Sequence, residues 1–125
     1  MAKLFLILGS TLGGLSVAIG AFGAHALKTI LANNNRLETF ETAVKYQFFH
    51  ALALLFLGLL MMKFDHKLFV WSGYGFIIGV FLFSGSLYIL SLTGVNKWGA
   101  VTPLGGIAFL IGWISLIMGI SKAIN

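Results

Sequence analysis

The chain has no cysteine, a single proline and only three acidic residues among its 125 positions. Without cysteine it forms no disulfide, no thiolate nucleophile and no cysteine-ligated metal site. Charged residues amount to 9% and hydrophobic residues to 59%, whereas about a quarter of a soluble domain is charged. This composition excludes an ordinary soluble domain. The net charge of +5 does not indicate a nucleic-acid partner, because the basic residues stand apart and form no basic stripe.

Long apolar runs make up most of the chain. The runs without any Asp, Glu, Lys or Arg are 4–24, 47–62, 69–92 and 103–121. A helix of about 20 residues covers the roughly 30 Å hydrocarbon core of a bilayer. We therefore predict an all-α integral membrane four-helix bundle that forms one domain over residues 1–125. The predicted spans cover approximately 4–25, 46–62, 69–92 and 103–122. The first run exceeds a signal-peptide core of about 7–15 residues, so we expect it to be a retained span.

Polar residues mark the starts of two helices. Asn35 followed by Glu38 resembles a capping box, and Thr102-Pro103 combines a good N-cap with a proline suited to the first helical turn. After Asn35, one helical face carries Leu37, Phe40, Val44 and Phe48. This pattern predicts a short amphipathic helix over 36–45 at the membrane interface, between the first and second spans. The alternative is that this helix continues straight into the second span.

Small residues recur every three or four positions in two of the spans. In the first span they are Gly9, Gly13, Ser16, Gly20 and Gly23, and in the last they are Gly105, Ala108, Gly112, Ser115 and Gly119. We call these two stripes the glycine seams. Small residues let helix backbones approach closely in lipid. We therefore predict that the first and last spans contact each other directly; the alternative is a seam that faces another subunit of a homo-oligomer.

Polar residues at membrane depth are the only candidates for a site. They are His25, Glu38, Glu41, Tyr46, Gln47, His50, Tyr88 and Thr102, and a four-span topology places them on one side of the membrane. His50 lies one turn inside an apolar run. It is either a functional group or a neutral imidazole that is hydrogen-bonded across the bundle. His25, Glu38, Glu41 and His50 are suitable metal ligands but lack a diagnostic spacing, so we predict no metal and no cofactor and assign no catalytic residue.

Five segments together resemble a known family. They are 20–27 (GAFGAHAL), 40–52 (FETAVKYQFFHAL), 83–88 (FSGSLY), 102–106 (TPLGG) and 112–113 (GW). The chain resembles the domain-of-unknown-function 423 family of small bacterial membrane proteins, whose eukaryotic relatives are called transmembrane protein 256. The resemblance implies a multi-pass protein of the bacterial cytoplasmic (inner) membrane and assigns no activity.

Basic residues are divided equally between the two sides of the predicted membrane topology. The acidic residues slightly favour an orientation with both termini in the cytoplasm, which is the orientation that we expect.

Three functional hypotheses follow, in order of preference. In the first, the protein binds a lipid or an apolar small molecule, or acts as a scaffold, with membrane lipids as its partners. The second is a small transporter or channel, which with four spans requires a homo-oligomer. The third is a membrane enzyme that uses histidine and glutamate side chains.

Overall fold

The computed structural model describes residues 1–125, which form helices and short connections and no β-strand. The helices are α1 (Ala2–Ala24), α2 (Lys28–Asn33), α3 (Leu37–Met61), α4 (Lys67–Gly79), α5 (Gly85–Thr93) and α6 (Thr102–Ala123). A π-helical turn (Val80–Ser84) joins α4 to α5, and a 3-10 turn (Asn96–Ala100) precedes α6. Four stretches are long and apolar enough to cross a membrane: Ala2–Ala24, Leu37–Met61, Lys67–Thr93 and Asn96–Ala123. The predicted all-α class with four long apolar helices is confirmed, and we number these stretches as the first to fourth spans.

The four spans form two close pairs. The first span packs along the second, and α4 of the third span packs along α6. The second and third spans also pack against each other and so join the two pairs. Aromatic side chains connect spans of different pairs. Phe5 of the first span contacts Tyr74 of the third, and His50 of the second contacts Phe109 of the fourth. The main core lies between the spans and contains Phe5, Leu54, Leu57, Phe69 and Phe76, all fully buried.

Each glycine seam faces its hairpin neighbour. A Cβ atom added at Gly9 would lie 2.9 Å from the carbonyl oxygen of Ala51, and one at Gly112 would lie 3.1 Å from that of Ser72. The first and last spans do not pack along each other, so the prediction of a direct contact between them was wrong. Consecutive antiparallel spans with short connections are neighbours in space, and each seam is therefore occupied by the nearest helix.

The remaining seam residues follow the same rule. Gly13, Gly20 and Gly23 face Ala51, Val44 and Phe40 of α3, while Gly105 and Gly119 face Phe83 and Phe69 of the third span. The carbonyl oxygen of Ala108 lies against Gly75, and Ser16 and Ser115 are buried. The seams thus set the distances within each pair of spans.

The segment 36–45 does not form a separate interfacial helix, so that prediction was wrong, and the alternative of a helix that continues straight into the second span is confirmed. It is the beginning of α3, which runs without a break from Leu37 to Met61, because neither glycine nor proline occurs in the chain from Leu37 to Leu57.

Asn35 does not act as the predicted cap. It has a φ of 54°, a conformation that asparagine tolerates better than most residues. It ends α2, because the backbone N–H of Arg36 donates to the carbonyl oxygen of Leu31 at 2.9 Å and closes the last turn of that helix.

The connection before α3 contains the short helix α2 instead. It contacts α1, α3 and α5 and buries Leu31. The side-chain amide of Asn34 donates to the carbonyl oxygens of Ser91 (3.0 Å) and Leu92 (3.2 Å), and Arg36 donates to Asn96 Oδ1 at 2.6 Å. These bonds attach the first connection to the end of the third span and to the 3-10 turn at the start of the fourth.

The third span changes its helical period at the π turn. There the backbone N–H of Gly85 donates to the carbonyl oxygen of Val80, five residues earlier. The Ser84 hydroxyl donates to the carbonyl oxygen of Ala43 on α3 at 2.7 Å and is fully buried. A hydroxyl bonded to a neighbouring backbone holds the turn against the second span.

Candidate functional site

Gln47 links three spans through one side chain. Its amide nitrogen donates to the carbonyl oxygen of Leu12 on the first span at 3.0 Å. Its amide oxygen accepts the hydroxyl of Tyr88 from the third span at 2.6 Å. The Tyr88 ring packs against Phe40, with the ring centroids 5.3 Å apart. Since Gln47 is buried, these bonds satisfy an amide that would otherwise be costly inside the bundle.

His50 is held by both of its ring nitrogens. The indole N–H of Trp113 donates to His50 Nε2 at 3.0 Å, and Nδ1 lies 2.7 Å from the carbonyl oxygen of Tyr46. A carbonyl only accepts, so Nδ1 carries the proton and the imidazole is neutral. The ring also stacks on Phe109 at a centroid distance of 3.6 Å. Neither nitrogen is left free for a metal or for a proton taken from a substrate.

His50 lies deeper than we expected. Because α3 begins at Leu37, His50 stands near the middle of this helix and not one turn from its start. The residues that surround it, Phe76 and Trp113, also lie near the middle of their spans. Its hydrogen-bond partner on the fourth span, Trp113, was not among the candidates. The only sequence signal for Trp113 was the Gly-Trp pair at 112–113, within the resemblance.

The other polar candidates do not join this cluster. Thr102 begins α6, and its hydroxyl lies 2.7 Å from that of Ser86, so it binds the third span instead of capping its own helix. His25, Glu38 and Glu41 are exposed at the surface. No three His, Asp or Glu side chains come together in an arrangement that would hold a metal ion. The predicted cluster is therefore two separate features, an internal hydrogen-bonded network and an exposed charged surface.

A groove opens on that charged surface where α1 ends. Its volume is about 410 Å³. It is lined by Gly20, Gly23, Ala24, Lys28, Leu31, Leu37, Phe40, Glu41, Val44 and Lys45. We call it the interfacial groove. Half of its lining is hydrophobic, and the charged residues Lys28, Glu41 and Lys45 stand on its rim.

The local sequence explains why the groove is there. A Cβ atom at Gly20 would meet only Val44, at 3.4 Å, so the absence of a side chain leaves space beside α3 there, whereas the Phe40 ring occupies the space beside Gly23. Leu31 of α2 also lines the groove.

Sequence reasoning found Glu41 but not Lys28, Leu31 or Phe40. The available signal was that α1 ends in a glycine-rich sequence while α3 begins with bulky and charged residues. Whether these two helix ends meet depends on how α2 folds between them.

A second groove lies on the other side of Phe40. It has a volume of about 330 Å³ and is lined only by hydrophobic residues, namely Ile19, Phe22, Leu27, Phe40, Tyr88 and Leu92. Phe40 therefore separates a charged groove from an apolar one at the same end of the bundle. Together the two grooves offer a polar contact and an apolar contact to an amphiphile.

These features describe a small all-α membrane protein with an internal polar network. The chain belongs to the family described as protein of unknown function DUF423, whose model matches residues 19–106.

Relatives agree over almost the whole chain. The UPF0382 membrane protein YwdK of Bacillus subtilis is 42% identical over 121 residues, which cover 96% of this chain and 98% of the relative. The UPF0382 inner membrane protein YgdD of Escherichia coli is 39% identical, covering 94% of this chain and 89% of the relative. A UPF0382 membrane protein of Staphylococcus haemolyticus is 42% identical, covering 98% and 99%. No solved structure matches the chain. The protein is a bacterial membrane protein, as the resemblance implied.

Proposed function

We propose that the protein binds a membrane phospholipid in the interfacial groove. The observation that carries the proposal is the combination of an apolar floor and a charged rim in one cavity. A phospholipid has the same division, because its phosphate lies next to acyl chains. The internal network around Gln47 and His50 then stabilises the bundle and does not contact the ligand.

The position of the groove fits this ligand. It lies where the first apolar run ends and the charged residues of α2 and early α3 begin. In a membrane protein this transition occurs at the level of the headgroups, where lysine side chains extend towards the polar region. Lys28 and Lys45 are therefore at the depth of lipid phosphates, while Val44 and Leu31 face the beginning of the acyl chains.

The size of the groove also fits. Sites for small molecules are usually clefts of about 300–1,000 Å³, with mostly apolar walls and a few polar groups that orient the ligand. At about 410 Å³, the interfacial groove has room for a headgroup and the adjoining part of a chain. The remaining chain would lie along the outer surface of the spans.

A substitution that fills the groove tests the proposal. A Cβ atom at Gly20 would meet only Val44, at an ordinary distance of 3.4 Å, so Gly20→Leu places its side chain in the groove. Gly14→Leu is the matched control, because a Cβ at Gly14, on the same helix, meets nothing within 4 Å. Both variants and the parent protein are extracted in mild detergent and examined by native mass spectrometry, and a thermal unfolding curve of each variant verifies the fold.

We expect the parent and Gly14→Leu to retain a discrete lipid mass and Gly20→Leu to lose it. Equal retention by folded Gly20→Leu would contradict binding in this groove. A parent protein that carries no lipid but has a fixed oligomer number would contradict the proposal and favour an assembly or transport role. The same spectra therefore decide between the first two hypotheses.

A further inference from the structure

From the charges on the rim, and on the basis of the proposed lipid site, we infer that the interfacial groove selects a phospholipid whose headgroup carries a primary ammonium beside the phosphate. The rim presents two ammonium groups, from Lys28 and Lys45, and one carboxylate, from Glu41. A phosphate alone satisfies the lysines but brings a second negative charge close to Glu41. A headgroup with a phosphate and an ammonium offers an opposite charge to all three side chains.

Glu41 and Lys45 lie four residues apart on α3 and thus on the same helical face. Both are exposed, so any pairing between them is weak and easily exchanged for a ligand. When a zwitterionic headgroup enters, Lys45 turns to the phosphate and Glu41 to the ammonium. Lys28, which also lines the groove, approaches the phosphate from α2.

The kind of ammonium matters. A primary ammonium has three N–H donors, and a charge-assisted hydrogen bond to a carboxylate is stronger than a neutral one. A quaternary ammonium has no N–H and gives Glu41 only a diffuse charge. At a partly exposed site, we expect one such bond to give a preference on the order of tenfold for phosphatidylethanolamine over phosphatidylcholine.

The test uses the full-length protein in detergent, to which three lipids with identical acyl chains are added at equal concentration. They are phosphatidylethanolamine, phosphatidylcholine and phosphatidylglycerol. Native mass spectrometry measures the bound fraction of each. Glu41→Gln removes the carboxylate, and Glu38→Gln is the matched control, because Glu38 lies one turn earlier on α3, is also exposed and does not line the groove.

We expect the parent protein and Glu38→Gln to prefer phosphatidylethanolamine, and Glu41→Gln to bind it no better than phosphatidylcholine. Lys28→Gln together with Lys45→Gln should weaken the binding of all three lipids. Binding without a preference, a preference for phosphatidylglycerol, or a preference that survives Glu41→Gln overturns this inference while leaving the lipid site in place. Absence of any bound lipid overturns the lipid site itself.

Discussion

At Gly75 the third span approaches the fourth through backbone atoms alone. A Cβ atom added at Gly75 would lie 2.8 Å from both Cα and N of Gly112 and 2.9 Å from the carbonyl oxygen of Ala108. Carbon atoms in contact are normally about 3.5–4.0 Å apart. Gly75→Ala therefore requires the two helices to separate by roughly 1 Å, since no side chain is available to move aside.

The cost follows from this geometry. Overpacking of a well-packed interior usually costs about 1–3 kcal/mol. Replacing glycine by alanine inside a helix also contributes a gain of up to roughly 1 kcal/mol, which must be separated from the cost. Gly106→Ala is the control for this gain, because a Cβ at Gly106, on the facing helix, meets nothing within 4 Å. Both variants gain the same helix propensity, so the difference between their free energies of unfolding gives the cost of overpacking at Gly75.

The measurement is the free energy of unfolding in mixed micelles, obtained by titration with sodium dodecyl sulfate and followed by circular dichroism. We expect Gly75→Ala to be less stable than Gly106→Ala by about 1–3 kcal/mol. If the two variants are equally stable, or Gly75→Ala is the more stable, the close approach of the third and fourth spans described here is incorrect.

Two further predictions concern the internal network and use the same unfolding measurement. Tyr88→Phe should lower the free energy of unfolding of the parent protein by about 0.6–1.7 kcal/mol, because it removes the hydrogen bond to Gln47. In a Gln47→Leu background the same substitution should cost close to nothing, because that bond is already absent. Equal costs in both backgrounds would show that the bond is not formed. His50→Ala leaves the Trp113 indole N–H without its acceptor and removes the ring stacked on Phe109, so we expect a loss of about 1–3 kcal/mol with bound lipid retained in the folded protein. Loss of the lipid from folded His50→Ala would instead place the ligand inside the bundle.

Hydropathy predicted the architecture well, because every backbone group inside a bilayer must be bonded internally and an apolar run of this length has few alternatives to a helix. The start of the last helix was also readable: Pro103 lies in the first turn of α6, and the helix begins at Thr102. Local rules were less reliable for Asn35, which met the composition of a capping box but ends α2 with a positive φ instead of capping α3.

The partners of the polar and small residues could not be predicted. A glycine seam indicates that some helix approaches closely, but nothing in its pattern specifies which one. His50 required a partner inside the membrane, yet the choice of Trp113 depends on where α6 lies relative to α3, which it meets through side chains such as Phe109 and Trp113. The interfacial groove depends on the fold of α2, whose six residues carry no periodic pattern long enough to read.

The π turn at Val80–Ser84 has a consequence for how the third span tolerates change in length. A π turn accommodates one residue more than an α turn, which offsets the later helix faces by about 100°. Before it, Gly75 and Gly79 face the fourth span; after it, Tyr88 reaches Gln47 on the second. Loss of a single residue within the π turn would convert it into an α turn and leave every later side chain facing its present neighbour. The same loss elsewhere in α4 or α5 would rotate the later side chains by about 100° towards the wrong neighbours.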